Sequence, residues 1–155
     1  MRQQGHGRII QCSSVLGFVS MAYRGAYNAS KYAIEGLTDT LRLELKTANI
    51  AVVLLQPGPI NTQFRANALT AFQSNIDINN SVHKAQYQQQ IERLTSEKSN
   101  AAFTLEPIDV TKALIHALES KRPRLRYRIT TPTKIFSVLK RLLPGRWLDQ
   151  LLAKG

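Results

Sequence analysis

The chain has 155 residues, 43% of them hydrophobic, and it carries a formal net charge of +11 at pH 7. This length and composition predict one globular unit, and no apolar run reaches the roughly 18 residues that a transmembrane helix needs. A single cysteine, Cys12, excludes an internal disulfide bond, and no secretory signal core is visible, so the sequence predicts a cytoplasmic protein.

Strand, helix and strand follow one another in the first part of the chain. Residues 8–13 have the composition of a buried strand, and a long helix is predicted over 26–47 because alanine and leucine recur there at helical spacing. Residues 50–56 form a continuous apolar run that ends at Pro57 and Gly58, which is typical of a parallel strand buried on both faces.

The second part of the chain is polar at first and basic at its end. Residues 63–103 are rich in glutamine and asparagine, and one helix is predicted within them at 81–99. Another helix is predicted at 104–120, where Thr104 is a candidate cap and Pro107 fits the first turn. The chain is completed by a predicted strand at 125–129 and predicted helices at 133–142 and 145–153. This alternation predicts an α/β fold with a parallel sheet and right-handed crossovers.

Three side chains have the chemistry of an acid–base centre. Tyr27 and Lys31 are four residues apart, so on a helix they share one face. A nearby ammonium group favours the phenolate, and it is expected to lower the pKa of Tyr27 from its usual value of about 10 toward neutral pH. Ser14 precedes this tyrosine by thirteen residues and offers a hydroxyl that can hold a substrate oxygen as charge develops on it.

Three segments carry a resemblance to the short-chain dehydrogenase/reductase family. Residues 7–14 resemble the family's strand that ends in a catalytic serine, and 27–31 resemble its Tyr-x-x-x-Lys motif. Residues 51–58 resemble its next strand and Pro-Gly turn. The resemblance is clearest over 7–62, and the tail is similar to members related to the 17β-hydroxysteroid and retinol dehydrogenases and their bacterial relatives.

The resemblance implies an NAD(P)-dependent oxidoreductase that interconverts an alcohol and a carbonyl group. Ser14, Tyr27 and Lys31 would be the catalytic residues. The Ile60 backbone and Thr62 would hold the nicotinamide carboxamide, and Lys31 would also bind the ribose. The cofactor is NAD or NADP, with NADP slightly favoured, and the residues implied for its binding are Tyr27, Lys31, Pro57, Gly58, Ile60 and Thr62.

The segment that follows the serine lines the substrate pocket in the family. By resemblance, Ser14, Val15, Leu16 and Phe18 would contact the substrate, and the apolar side chains among them suggest a small apolar alcohol, aldehyde or ketone. The same apolar side chains are equally well explained as core residues. Residues 63–103 would form a substrate loop or lid, and for 73–103 disorder is an equally good interpretation.

The family's glycine-rich turn, which holds the cofactor's pyrophosphate at a helix N-terminus, is missing from this sequence. The resemblance therefore implies the C-terminal half of a doubly wound, Rossmann-like parallel-sheet domain with a helical C-terminal extension. Such a chain is expected to be unstable and inactive by itself, and the full-length enzyme is expected to be a homo-oligomer. The chain, 1–155, divides into a catalytic core at 7–62, the loop or lid at 63–103, a helix and last strand at 104–130, and a basic tail at 131–155.

Positive charge is concentrated near the end of the chain, where residues 121–155 contain ten lysines and arginines and one acidic residue, Asp149. Residues 133–153 combine this charge with apolar residues at helical spacing. The pattern fits either peripheral contact with an anionic membrane or a helix packed on its own protein with solvated charges. A non-catalytic module that associates with a partner or a membrane is therefore the alternative function.

Two other kinds of site are not predicted. Nucleic-acid binding is not expected, because the basic cluster lacks interleaved exposed aromatic residues and any recognisable binding module. A metal site is not expected either, since His6, His83 and His116 stand apart from other ligands at useful spacing.

Overall fold

The computed structural model describes residues 1–96 and 103–153, and these form one α/β unit. No helix within those ranges is both long and apolar enough to cross a lipid bilayer. The elements in chain order are β1 (Gly7–Cys12), a 3₁₀ turn (Val15–Gly17), α1 (Gly25–Glu44), β2 (Ile50–Gln56), α2 (Phe64–Asn75), α3 (Lys84–Thr95), α4 (Pro107–Glu119), β3 (Arg126–Arg128), α5 (Thr131–Leu142) and α6 (Gly145–Leu152).

The three strands form a parallel sheet in the order β1-β2-β3. β1 and β2 are in register from Gly7 opposite Ile50 to Cys12 opposite Leu55, so both strands end at the same edge. The predicted α/β fold with a parallel sheet is therefore confirmed, and its strands match the predicted positions to within one residue at each end.

The side chains of β2 alternate between two apolar clusters on opposite faces of the sheet. Val53 and Leu55 pack with Ala117 of α4 on one face. Val52 packs with Leu45, at the end of α1, on the other face. Because helices cover both faces, the sheet is doubly wound, and the continuous apolar sequence of β2 follows from this double burial.

The outer edge of β1 lacks a neighbouring strand among the described residues. β1 pairs with β2 along one side, and its residues are mostly half-buried, whereas six of the seven residues of β2 are buried. An unpaired strand edge of this kind invites pairing with another chain or segment. This edge supports the expectation that the isolated chain is unstable, which stays a prediction.

A cluster of charged and polar groups ties α1 to the sheet. Arg126 of β3 donates to both carboxylate oxygens of Asp39 at 2.6 Å, and its Nε lies 3.5 Å from Glu35. Glu35 also accepts two hydrogen bonds from the Gln56 side-chain amide, which is 2% exposed at the end of β2. These contacts fix the rotation of α1 over the carboxyl edge of the sheet.

The polar region after β2 differs from its predicted structure. α2 was not predicted, because its sequence has little amphipathic periodicity and none of its residues is buried. α3 is shorter than the predicted helix at 81–99, and positions 97–99 lie outside the described residues. α1 also ends three residues early, before Asn49 adopts a φ of 51° in the left-handed region.

Gly58 packs too closely against α5 to accept a side chain. A Cβ atom at this position would lie 2.7 Å from Thr133 Oγ1 and closer still to Thr130 Oγ1, and both threonines are fully buried. We expect Gly58→Ala to lower the free energy of unfolding by about 1–3 kcal/mol through overpacking, measured by urea denaturation.

Gly36 is a matched control, since a Cβ atom there meets nothing within 4 Å on the exposed side of α1. Gly36→Ala is expected to stabilise the chain by up to about 1 kcal/mol, because alanine has the higher helix propensity. Equal effects of the two substitutions would contradict the packing argument.

Candidate active site

The carboxyl ends of β1 and β2 bring two separate parts of the chain together. Ser13 N donates to Leu55 O at 2.9 Å, and Val15 N donates to Pro57 O at 2.8 Å. Strand-like pairing thus continues past the end of each strand, on either side of Ser14. Ligands of open α/β sheets bind at this edge, so the position is favourable for a site.

Ser14 is buried, and its side chain lies close to two other residues. Its Oγ accepts a hydrogen bond of 3.2 Å from Leu16 N, which caps the 3₁₀ turn. Its hydroxyl also lies near enough to the Tyr27 phenol to lower the pKa of that group. Two residues thirteen apart in sequence therefore meet, because α1 begins beside the carboxyl end of β1.

Tyr27 and Lys31 lie on the same side of α1, as their spacing predicts. Lys31 Nζ is 5.7 Å from the centroid of the Tyr27 ring and donates to Cys12 O at 3.0 Å. The lysine is thereby anchored to the last residue of β1. Ser14, Tyr27 and Lys31 form one cluster, called here the Ser–Tyr–Lys cluster.

The predicted direction of the Tyr27 pKa shift is wrong for this structure. Burial raises the pKa of Tyr27 above 10, because the phenolate loses contact with water. The Ser14 hydroxyl lowers the pKa but does not outweigh this burial, and Cys12 raises it further. The Lys31 ammonium is not among the groups that shift it.

In the turn after β2, the backbone N–H and C=O of Ile60 have no backbone partner among the described residues. Leu105 N donates to Pro59 O at 3.1 Å, and Asn61 N donates to Leu105 O at 2.9 Å. In this parallel bridge the two bonds use the residues on either side of Ile60. The N–H and C=O of Ile60 itself therefore point away from Leu105. Thr62 Oγ1 accepts a hydrogen bond of 3.2 Å from Phe64 N, at the start of α2.

The three apolar residues predicted to contact substrate differ in exposure. Leu16 is 7% exposed, which favours the core interpretation for this side chain. Val15 and Phe18 are half-buried and keep some accessible surface. Phe64, which is 54% exposed, places its ring centroid 5.4 Å from that of Tyr27, so α2 reaches the Ser–Tyr–Lys cluster.

Sequence reasoning missed the groups that hold the loop between Ser14 and Tyr27. Asn28 is buried, and its Nδ2 donates to Met21 O at 3.0 Å. Tyr23 adopts a φ of 60° and contacts Tyr87 of α3 edge to face at 5.9 Å. No periodicity marks these residues, because their importance depends on a loop whose path is set by tertiary contacts.

Comparison with solved structures defines the class of fold. The chain superposes on a short chain dehydrogenase of Burkholderia cenocepacia in complex with NADP with a TM-score of 0.64 and 18% identity, over 97% of this chain and 51% of that one. A short chain dehydrogenase/reductase of Burkholderia phymatum in complex with NAD gives a TM-score of 0.65 and 23% identity, over 99% of this chain and 52% of that one. The fold is thus of the Rossmann-like type that was predicted.

Sequence comparisons define the family within this fold. A family model described as short chain dehydrogenase matches residues 1–72. An uncharacterized oxidoreductase of Escherichia coli, YbbO, is 41% identical over 98% of this chain and 50% of its own length. An NADPH-dependent 3-dehydrocapnine reductase of Ornithobacterium rhinotracheale is 30% identical over 96% of this chain and 50% of its own length.

The chain belongs to the short-chain dehydrogenase/reductase family. It spans about half the length of the curated relatives that it matches.

Proposed function

We propose that this chain supplies the proton-transferring part of an NAD(P)-dependent oxidoreductase that interconverts an alcohol and a carbonyl group. The observation that carries the proposal is the meeting of Ser14, Tyr27 and Lys31 beyond the end of β1, where the Lys31 ammonium lies 5.7 Å from the centroid of the phenol ring. The relatives named as an oxidoreductase and as a reductase support the same class of reaction.

Each member of the Ser–Tyr–Lys cluster has a distinct role in this proposal. In the reductive direction the Tyr27 phenol donates its proton to the carbonyl oxygen, and in the oxidative direction the phenolate accepts it. Ser14 donates a hydrogen bond to the same oxygen, which stabilises the charge that develops there. Lys31, held by Cys12 O, keeps a positive charge 5.7 Å from the centroid of the ring and would bind the cofactor's ribose.

The residues near the cluster suit a nicotinamide cofactor. The N–H and C=O of Ile60 face away from Leu105, and this donor–acceptor pair complements a carboxamide. Ile60 and Thr62 would hold that group. Lys31 and Tyr27 would bind the ribose of the cofactor. Pro57 and Gly58 would shape the turn after β2. When bound, the nicotinamide supplies or accepts the hydride.

NADP is favoured over NAD because one relative is named as an NADPH-dependent enzyme, although the two similar structures hold NADP and NAD respectively. The substrate is proposed to be a small apolar alcohol, aldehyde or ketone. Phe64, whose ring contacts that of Tyr27, supports this choice because its side chain is exposed, and Val15 and Phe18 after Ser14 also retain accessible apolar surface.

The test uses a joined protein, in which the first half of the Escherichia coli relative precedes this chain. The joined protein and the chain alone are assayed with NADPH and NADH against a series of aliphatic aldehydes and ketones, by nicotinamide absorbance. We expect carbonyl-dependent oxidation by the joined protein and none by the chain alone.

Cofactor binding, followed by nicotinamide fluorescence, separates a folding failure from a wrong function. A joined protein that binds NADPH or NADH but reduces none of the carbonyl compounds would contradict the proposal. Turnover by the chain alone would contradict the view that the cofactor-binding residues lie mainly outside it.

A further inference from the structure

α5 turns an apolar stripe away from the rest of the protein. Its inner side carries the buried Thr133 and Ser137. On the opposite side three large apolar side chains are half or more exposed, and at 3.6 residues per turn they lie along one line. This apolar stripe consists of Ile135 at 50%, Val138 at 53% and Leu142 at 73% exposure.

The next helix continues this apolar character. α6 follows directly after Pro144, and it exposes Trp147 at 63% and Leu151 at 42%. A tryptophan with an apolar body and a polar N–H group is favoured where water meets a membrane.

Beside the apolar stripe, between α5 and β3, lies an open groove of about 330 Å³. Three arginines at alternate positions of the β3 segment point to this side of the strand, and Lys134 reaches it from α5. No acidic residue lines the groove among the described residues. The lining of this basic groove is Arg124, Arg126, Arg128, Lys134, Ser137 and Val138.

Among the residues that the structure describes, only one of these cations is paired with an acidic side chain. Arg126 is bound by Asp39 and lies near Glu35. By contrast, the buried Nε of Arg128 has no hydrogen-bond partner in the part of the chain that the structure describes. Burial and the nearby charges of Arg141 and Arg126 hold the pKa of Arg128 below its usual range, and the charge of Glu35 offsets them only in part. An anion placed at the groove would relieve this crowding.

We propose that the apolar stripe and the basic groove together form a docking face for an anionic lipid bilayer. The stripe enters the boundary between headgroups and acyl chains, while the groove and Arg141 contact the lipid phosphates and carboxylates. A second copy of this chain would bring a like-charged groove to the same face and be repelled. A nucleic acid would leave the apolar stripe in water. The proposal is independent of the proposed catalysis.

The test is co-sedimentation with vesicles of the joined protein, because the chain by itself is expected to be unstable. We expect it to pellet at low salt with vesicles that contain phosphatidylserine, to remain in solution with phosphatidylcholine alone, and to be released by high salt.

Two pairs of variants locate the contact. The double substitution Lys134→Gln and Arg141→Gln is expected to weaken binding about 30-fold, since each cation near an anionic surface contributes to partitioning. Its control, Lys46→Gln with Lys84→Gln, removes equal charge from exposed sites elsewhere and should retain most binding. Leu142→Gln is expected to weaken binding about tenfold, unlike Leu43→Gln, whose leucine is 77% exposed on α1.

The proposal is overturned if the joined protein does not pellet, or if it pellets equally with neutral vesicles. It is also overturned if the control variants lose as much binding as the test variants. Light scattering checks the remaining alternative: a dimer abolished by Leu142→Gln but not by Leu43→Gln would assign the face to a second copy. Circular dichroism must show the same helix content in every variant.

Discussion

Replacing Tyr27 with phenylalanine is expected to lower kcat/KM for carbonyl reduction by the joined protein by about 10²–10⁴-fold, the usual contribution of a positioned acid or base. The substitution removes the proton donor and keeps the ring that packs on Phe64. Tyr32→Phe is the matched control, because Tyr32 lies one residue after Lys31 on α1 and its hydroxyl contacts Ser20 and Lys140 instead of the cluster. An equal loss in both variants would contradict the role of Tyr27.

The raised pKa of Tyr27 gives this prediction a pH dependence. Because burial raises the pKa of Tyr27 above its usual value of about 10, the protonated donor persists throughout the neutral range, and the rate of reduction should not fall there through Tyr27. Alcohol oxidation requires the phenolate, so its rate should rise with pH over the same range. Suppose that the rate of reduction in the parent decreased as the pH rose toward about 9, while the rate in the Tyr27→Phe variant did not. That result would contradict the raised pKa.

Replacing Ser14 with alanine is expected to lower kcat by about 10²–10³-fold, as removal of one donor to a developing oxyanion does. The loss should appear mainly in kcat with KM little changed, because the hydrogen bond strengthens as charge develops on the substrate oxygen. Leu16 N also loses its acceptor, so the melting temperature is expected to fall, and kinetics must be measured well below it.

Ser13→Ala is the control for this substitution. Ser13 precedes Ser14 directly and is 2% exposed, but its Oγ has no hydrogen-bond partner among the described residues. Removing that hydroxyl should leave kcat unchanged and should not destabilise the fold. If Ser13→Ala reduced kcat as much as Ser14→Ala, the assignment of the oxygen-binding hydroxyl would be wrong.

Much of the fold was predictable because its signals are local. The apolar run of β2, ended by Pro57, identified a buried parallel strand to the residue. Periodicity located α1 to within three residues, and α4 to α6 were also found. α2 was missed because it buries no residue, so no apolar stripe records it in the sequence.

The sequence by itself determined which side chains have suitable chemistry and that Tyr27 and Lys31 share a helix face, since four residues nearly complete one helical turn. Only the tertiary structure decided that α1 begins beside the end of β1, which joins Ser14 to Tyr27. It also decided the sign of the Tyr27 pKa shift, because burial depends on packing that spacing does not encode. The outward orientation of the apolar stripe on α5 was decided in the same way, by the burial of Thr133 and Ser137 on the opposite side of that helix.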